Sequence, residues 1–176
     1  MEKKTIKIKN LSLKNFKGIK NLEINLNEDQ TAIYGANGKG KTSIFDAVPW
    51  LLFGKDGLGN SKFGIKTLDA NNVIIPMLDT EVCATIDVDG EIIAISRTLR
   101  EKWVKRRGMV EPEFSGNETL FFWNDVPQKA GEYQEKINEL VSEDVFRMVT
   151  NPLSFNSLHW EKQREVLVGI VGGISN

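Results

Sequence analysis

The chain has 176 residues, a formal net charge of −1, 40% hydrophobic residues and 27% charged residues. That length holds one domain with its own core, and the near-balance of charge excludes a global field drawing the molecule to nucleic acid or an anionic membrane. The single cysteine, Cys83, excludes an internal disulfide framework; with no signal-like leader and no membrane-length apolar run, the expectation is a soluble cytoplasmic protein.

In chain order, TIKIKNLSLKNF alternates Ile6, Ile8, Leu11, Leu13 and Phe16 with polar residues, which predicts a strand with one wet face. GIKNLEINLN repeats the alternation through Leu22, Ile24 and Leu26, and Gly18 between the two runs predicts a β-hairpin. The short run TAIY, residues 31–34, predicts a strand that leads into a glycine loop. From Lys41 the period changes: Ile44, Phe45, Val48, Leu51 and Leu52 follow helical spacing, Gly54 ends the segment, and Pro49 inside it predicts a kink or an early stop.

Residues 54–72, rich in Gly, Asn, Ser, Lys and Asp, read as a loop. TEVCATIDVDGEIIAISRTLREKW predicts two strands joined at Asp89-Gly90. VKRRGMVEPEFSGNE reads as a charged connection, and TLFFWN as a strand followed by a turn at Asp125-Val126-Pro127. Helical spacing returns over Glu132–Val141 through Tyr133, Ile137 and Leu140. Ser142 is placed to cap a short helix over Val145, Phe146 and Met148, broken at Asn151-Pro152. A last amphipathic helix is expected over Ser157–Val171, with Leu158, Trp160, Leu167 and Ile170, ended by Gly172-Gly173. The class is α/β with a strand-rich middle, and no repeat or low-complexity tract interrupts it.

The stretch Gly35-Ala36-Asn37-Gly38-Lys39-Gly40-Lys41-Thr42 fits G-x-x-x-x-G-K-[ST], the P-loop. A strand delivers the chain, the loop curls, and a helix leaves, so the loop amides converge on one cavity faced by the positive end of the helix dipole. Gly38 and Gly40, without Cβ atoms, let backbone approach phosphate oxygens. Lys41 is expected to reach the β- and γ-phosphates and the Thr42 hydroxyl to bind Mg²⁺.

LSLKNFKGIKNLEINLN, then AIYGANGKGKTSIFDA and LLFG, resembles the N-terminal half of an ATPase head of the SbcC/SMC/RecF kind, the ABC-type ATPases of DNA repair and chromosome organisation. The similarity is strongest over residues 5–54, where the N-G-x-G-K-[ST] loop is followed by Asp46-Ala47. NPLSFNSLHWEKQREVLVGIVG looks like the end of this half in bacterial and phage SbcC-like proteins. The resemblance implies a P-loop NTPase lobe with a strand-rich antiparallel portion and C-terminal helices, forming one domain over 1–176. A coiled coil and a second half would then follow.

Carried onto this sequence, the resemblance implies that Gly35, Ala36, Asn37, Gly38, Lys39, Gly40, Lys41, Thr42 and Ser43 hold the phosphates and metal of Mg-ATP. Lys17 stands where relatives often have an arginine near the nucleotide, and the loop around Ile65–Asp69 falls where they place residues against base or ribose. The glutamine that reaches Mg²⁺ and the attacking water has no counterpart; Asn151 in MVTNPLSFN is the candidate. Implied partners are a second ATPase head joined through ATP, DNA, and an SbcD-type nuclease, with no membrane.

Hydrolysis on this scaffold needs a carboxylate on Mg²⁺ and another to activate water. Relatives supply both from an apolar strand ending in Asp-Glu, which this sequence lacks; LFFWND (Leu120–Asp125) and VIIPMLD (Val73–Asp79) are poor substitutes. The signature LSGG is also missing, and FSGN (Phe114–Asn117) lies in another context. The expectation is a lobe that binds ATP weakly or not at all when alone and does not turn it over. The alternatives are a complete small P-loop kinase or NTPase, and a non-hydrolysing nucleotide-binding module.

Other residues have plainer readings. Arg97, Arg100, Lys102, Lys105, Arg106 and Arg107 around Trp103 read as a solvated face rather than a DNA hairpin, and Lys3, Lys4, Lys7, Lys9 and Lys14 as the wet face of a strand. His159 is expected within the last helix, Cys83 as a small core hydrophobe, and Trp50, Trp123 and Trp160 as packing residues. Arg164 is a candidate brace between that helix and the nucleotide half.

Overall fold

Alternating apolar residues set the first strand, and the turn after it supplies one of its partners. In the computed structural model, which describes residues 5–26, 30–105, 108, 111–151, 155–156 and 158–171, β1 (Ile6–Phe16) pairs antiparallel with β2 (Ile19–Asn25). The expectations for Lys3, Lys4, Arg106, Arg107, Pro152, Ser157, Gly172, Gly173 and the side chain of Ile170 lie outside the described residues. A register shift between Ile8 and Asn10 inserts one residue against β3, so that Ile8 and Leu11 keep to the core side despite their odd spacing.

Four more strands complete one antiparallel sheet in the order β2-β1-β3-β4-β5-β6: β3 (Thr80–Val88), β4 (Glu91–Val104), β5 (Glu113–Trp123) and β6 (Val126–Gln128). Asp89 and Gly90, with φ of 53° and 95°, form the expected tight β3–β4 turn. The reading of residues 104–118 as a connection needs correction. The long edge of β4 pairs with residues from Glu113 onward, Arg100 opposite Glu118, and Lys102 bridges to Glu118 at 3.0 Å. The following turn lies at Asn124-Asp125, one residue earlier than expected, and Pro127 sits in the short edge strand β6, where it is tolerated.

Leu11, Leu13, Phe16, Val82, Ala84, Ile86, Ile93, Ile95 and Phe121 form the buried layer of the sheet. It is covered by α1 (Lys41–Phe53) through Ala47, Trp50 and Leu51, and by α2 (Ala130–Leu140) through Tyr133 and Ile137. Each fully buried side chain such as Leu13 stabilises by roughly 1.5–3 kcal/mol. Of the two expectations for Pro49, the early stop is not met: α1 continues past it. Pro49 is buried with its neighbours in the second half of the helix, and the helix runs on to Gly54, whose amide donates to Trp50 O at 2.9 Å. Packing over the sheet outweighs the lost helical hydrogen bond.

The run 31–34 belongs to no strand: Ile33 is 43% and Tyr34 90% exposed. A strand exists only by hydrogen-bonding to a neighbour, and among the described residues none pairs with this segment. Ser142 caps α3 (Glu143–Thr150) as expected, its Oγ accepting from Val145 N at 3.4 Å, and Asn151 ends that helix. The last helix, α4 (Trp160–Val171), starts three residues late. His159 precedes it and its carbonyl accepts from Gln163 N, so His159 is not a helix residue; Trp160 is 61% exposed and not a packing residue. Arg164 lies on an exposed stretch of α4.

The cationic cluster disperses on folding. Arg97 donates to Trp50 O at 2.5 Å and lies over the Trp50 and Phe121 rings, Arg100 pairs with Asp79, and Lys9 approaches Asp87 at 3.7 Å. Arg100, paired at the surface, fits the solvated reading, whereas Arg97 departs from it, being half-buried against the two rings. Cys83 corrects another expectation: it points to the sheet face opposite the core, half-buried beside Glu81 and Ser96. Burial, and secondarily the Glu81 carboxylate, push its thiol up to about 12. We expect iodoacetamide at pH 8 to modify Cys83 far more slowly in the native chain than in urea, read by intact mass.

Candidate nucleotide site

The site is built where the turn between β1 and β2 meets the start of α1. A cavity of about 480 Å³ is lined there by Lys17, Gly18, Ile19 and every residue from Asn37 to Ser43. Gly38 and Gly40 have φ of 77° and 89°, the left-handed conformation a side chain resists, so two of the motif's glycines are required by backbone shape. At Gly38 a Cβ would meet nothing within 4 Å, which leaves open space above the loop backbone.

The loop amides are available. Among the described residues one of them donates to a protein carbonyl, Lys39 N to Ala36 O, over a long 3.4 Å. The first intrahelical bond of α1 is Ile44 N to Gly40 O, so the amides of Lys41, Thr42 and Ser43 face the cavity end without helical acceptors. The first turn of α1 carries no acidic residue, unlike those of α2 and α3, and its dipole there is uncompensated. Lys41 Nζ folds back onto Gly35 O at 2.6 Å and Ala36 O at 3.0 Å, holding the loop closed with a cation poised over it.

The chemistry of this donor set suits a polyphosphate: convergent N–H groups, three lysines (Lys17, Lys39, Lys41), and the Thr42 and Ser43 hydroxyls. For Mg²⁺ the fit is partial. Thr42 offers a hydroxyl, but no carboxylate lines the cavity, and among the described residues no group of three or more His, Cys, Asp or Glu is placed to hold a metal. Asp125 sits in the β5–β6 turn beside a cavity on the other sheet face, and Asp79 accepts from Arg100.

A second cavity of about 710 Å³ adjoins the first and shares Lys17 and Gly18 with it. Phe63, Ile65, Leu68 and Ile74 give it apolar walls, and Asp69, Asn72 and Asn117 bring polar groups. The loop around Ile65–Asp69 therefore stands beside the phosphate cradle, reached across Lys17, whose amide donates to Ile65 O at 2.8 Å. Asn151 is placed differently from the expectation. It does not line the cradle; its side-chain amide donates to Gly57 O at 3.3 Å.

Reading the sequence alone missed Asp46. This carboxylate, 5% exposed, accepts from Lys17 Nζ at 2.5 Å and from Gly57 N at 2.9 Å. One signal was present: Asp46 follows Thr42 by four residues and so shares its helix face.

A glycine-rich anion nest opening a helix over an antiparallel sheet defines the phosphate-binding lobe of a P-loop NTPase. The chain belongs to the AAA domain family, whose model matches residues 10–151. It is 28% identical over 137 residues to a DNA double-strand break repair Rad50 ATPase of Methanococcus maripaludis, an alignment covering 78% of this chain and 12% of that protein. It is also 28% identical over 111 residues to a DNA replication and repair protein RecF of Carboxydothermus hydrogenoformans, covering 60% of this chain and 28% of the relative. A solved structure of the recombination mediator protein RecF, in its RecF-ATPrS form, superposes with a TM-score of 0.50 at 16% identity, covering 75% of this chain and 29% of that one; this likeness concerns the fold. The chain thus spans less than a third of the length of each, and the likeness to SbcC/SMC/RecF-type ATPases stands at family level.

Proposed function

We propose that this chain is the ATP-binding N-terminal lobe of an SbcC-like ATPase acting in DNA double-strand-break repair or recombination. The observation that carries the reading is the joined pair of cavities. One is a cradle of free amides and lysines; the other is a larger, partly apolar cavity reached across Lys17. Their adjacency suits a nucleotide with its phosphates on Gly38–Ser43 and its base and ribose toward Phe63–Asp69. The names of the two curated relatives support the repair context.

In this reading ATP joins the lobe to a second head, and closure controls DNA binding and a nuclease partner of the SbcD kind, in the cytoplasm. No described helix is long and apolar enough to cross a membrane. The cavity lining without a carboxylate favours binding without turnover by this chain alone. The same observation supports, as a second reading, a non-hydrolysing nucleotide module.

The test is a thermal melt of the whole chain. With a dissociation constant of about 10 μM, 1 mM Mg-ATP adds about 2.7 kcal/mol, or roughly 5–11 °C for a chain this size. Adenosine at the same concentration should give a much smaller shift. A midpoint indifferent to Mg-ATP overturns nucleotide binding by this chain on its own, and steady ATP turnover that is lost in Lys41→Ala overturns its reading as one half of a head.

A further inference from the structure

We propose that Asp46 is a positioning residue for Lys17, holding that cation on the wall shared by the two cavities so that it meets a nucleotide's phosphates; the proposal rests on the nucleotide reading above. The two oxygens of Asp46 have separate tasks. Oδ1 accepts the Gly57 amide at 2.9 Å, and Oδ2 accepts Lys17 Nζ at 2.5 Å.

Both ends of Lys17 are fixed. Its backbone, at φ 47°, donates to Ile65 O, and next to it Asn15 O accepts the hydroxyls of Thr67 and Thr80 at 3.0 and 3.1 Å. A lysine side chain is ordinarily the most mobile part of a surface, and holding it in one pose costs rotamer freedom. Here folding has already imposed that cost, because the tip is bound to a carboxylate buried within α1. An ammonium has three donors; Asp46 takes one, and the remaining two serve the cavities, with the Phe63 ring 5.4 Å from Nζ.

The charge arrangement argues the same way. Asp46 lies one helical turn beyond Thr42, beneath the cradle. Unpaired, its negative charge would oppose a phosphate there. Lys17 cancels that field and supplies donors in its place. A purely structural pair would serve to neutralise Asp46 and nothing more, with no consequence for ligand.

Asp46→Asn separates these roles, since its Oδ1 can still accept Gly57 N while the new NH₂ cannot hold Lys17. Titration calorimetry of the whole chain with Mg-ATP and with adenosine, on wild type, Lys17→Ala, Asp46→Asn and the double variant, tests the proposal. We expect each single change to weaken Mg-ATP about tenfold. The double variant should be no weaker than Lys17→Ala, adenosine should be unaffected, and Lys17→Arg should restore most of the affinity. Losses that multiply to about a hundredfold in the double variant overturn the proposal. If Asp46→Asn does not fold, unchanged Mg-ATP affinity in Lys17→Ala overturns it equally. A wild type that ignores Mg-ATP overturns this proposal and the nucleotide reading together, whereas multiplying losses in a wild type that binds overturn this one alone.

Discussion

Lys41→Ala is expected to remove almost all of the Mg-ATP response while leaving the apo chain folded. Among the described residues Lys41 Nζ donates to the carbonyls of Gly35 and Ala36, in an exposed setting, so truncation costs the apo fold little. In the complex the same ammonium is the cation nearest the terminal phosphates in the proposed pose. Hydrogen bonds to charged groups contribute roughly 1.5–3 kcal/mol each. Losing about 2.7 kcal/mol makes binding about a hundredfold weaker. A site of about 10 μM then becomes one of about 1 mM, and 1 mM ligand stabilises by only about 0.4 kcal/mol, close to 1 °C. A melting shift equal to that of wild type would show that the loop is not where the nucleotide binds.

Arg97→Ala is expected to give the largest loss of stability among single charged-residue changes, about 3 kcal/mol by urea unfolding. The guanidinium donates to Trp50 O and lies 4.8 Å from the Phe121 ring centre and 5.6 Å from that of Trp50. It therefore ties β4, the end of α1 and β5 together at one point. Burial lowers its pKa to about 10, which still leaves it charged at neutral pH. Arg97→Met keeps the aliphatic volume, and Trp50 O retains the Gly54 amide, so this variant should lose less than half as much. Equal losses in the two variants would place the contribution in the charge rather than in packing.

These two residues also mark what the sequence made legible. The glycine loop carries its own geometry: spacing, a change of period at Lys41 and a capping Gly54 sufficed to place Gly38, Gly40, Lys41 and Thr42 around one cavity. The β3–β4 hairpin was equally readable, because Asp89-Gly90 is a local signal. What failed depends on partners. TAIY has strand propensity and, among the described residues, no neighbour to pair with. Residues 113–118 have weak propensity, yet β4 offers them an edge. Pro49 argues for a break, yet the core on both sides of it holds α1 together. Arg97 looked like one cation among six until packing separated it from the others, and Asp46, named only as part of the run behind the loop, had no role until it met Lys17.

The strand order has a kinetic corollary. Every pairing in the sheet joins chain neighbours except β1 with β3, and the stretch between those two contains the glycine loop and all of α1. Closing that long loop carries the greatest entropic cost of any pairing here. The β3–β4–β5 meander, with its local turns, can form before it. The wall of Lys17, Gly18 and Ile19 then meets Gly38–Ser43 only when β1 and its turn dock, so the complete cavity is expected to arrive with that long-range closure rather than with the local helix that bears the loop.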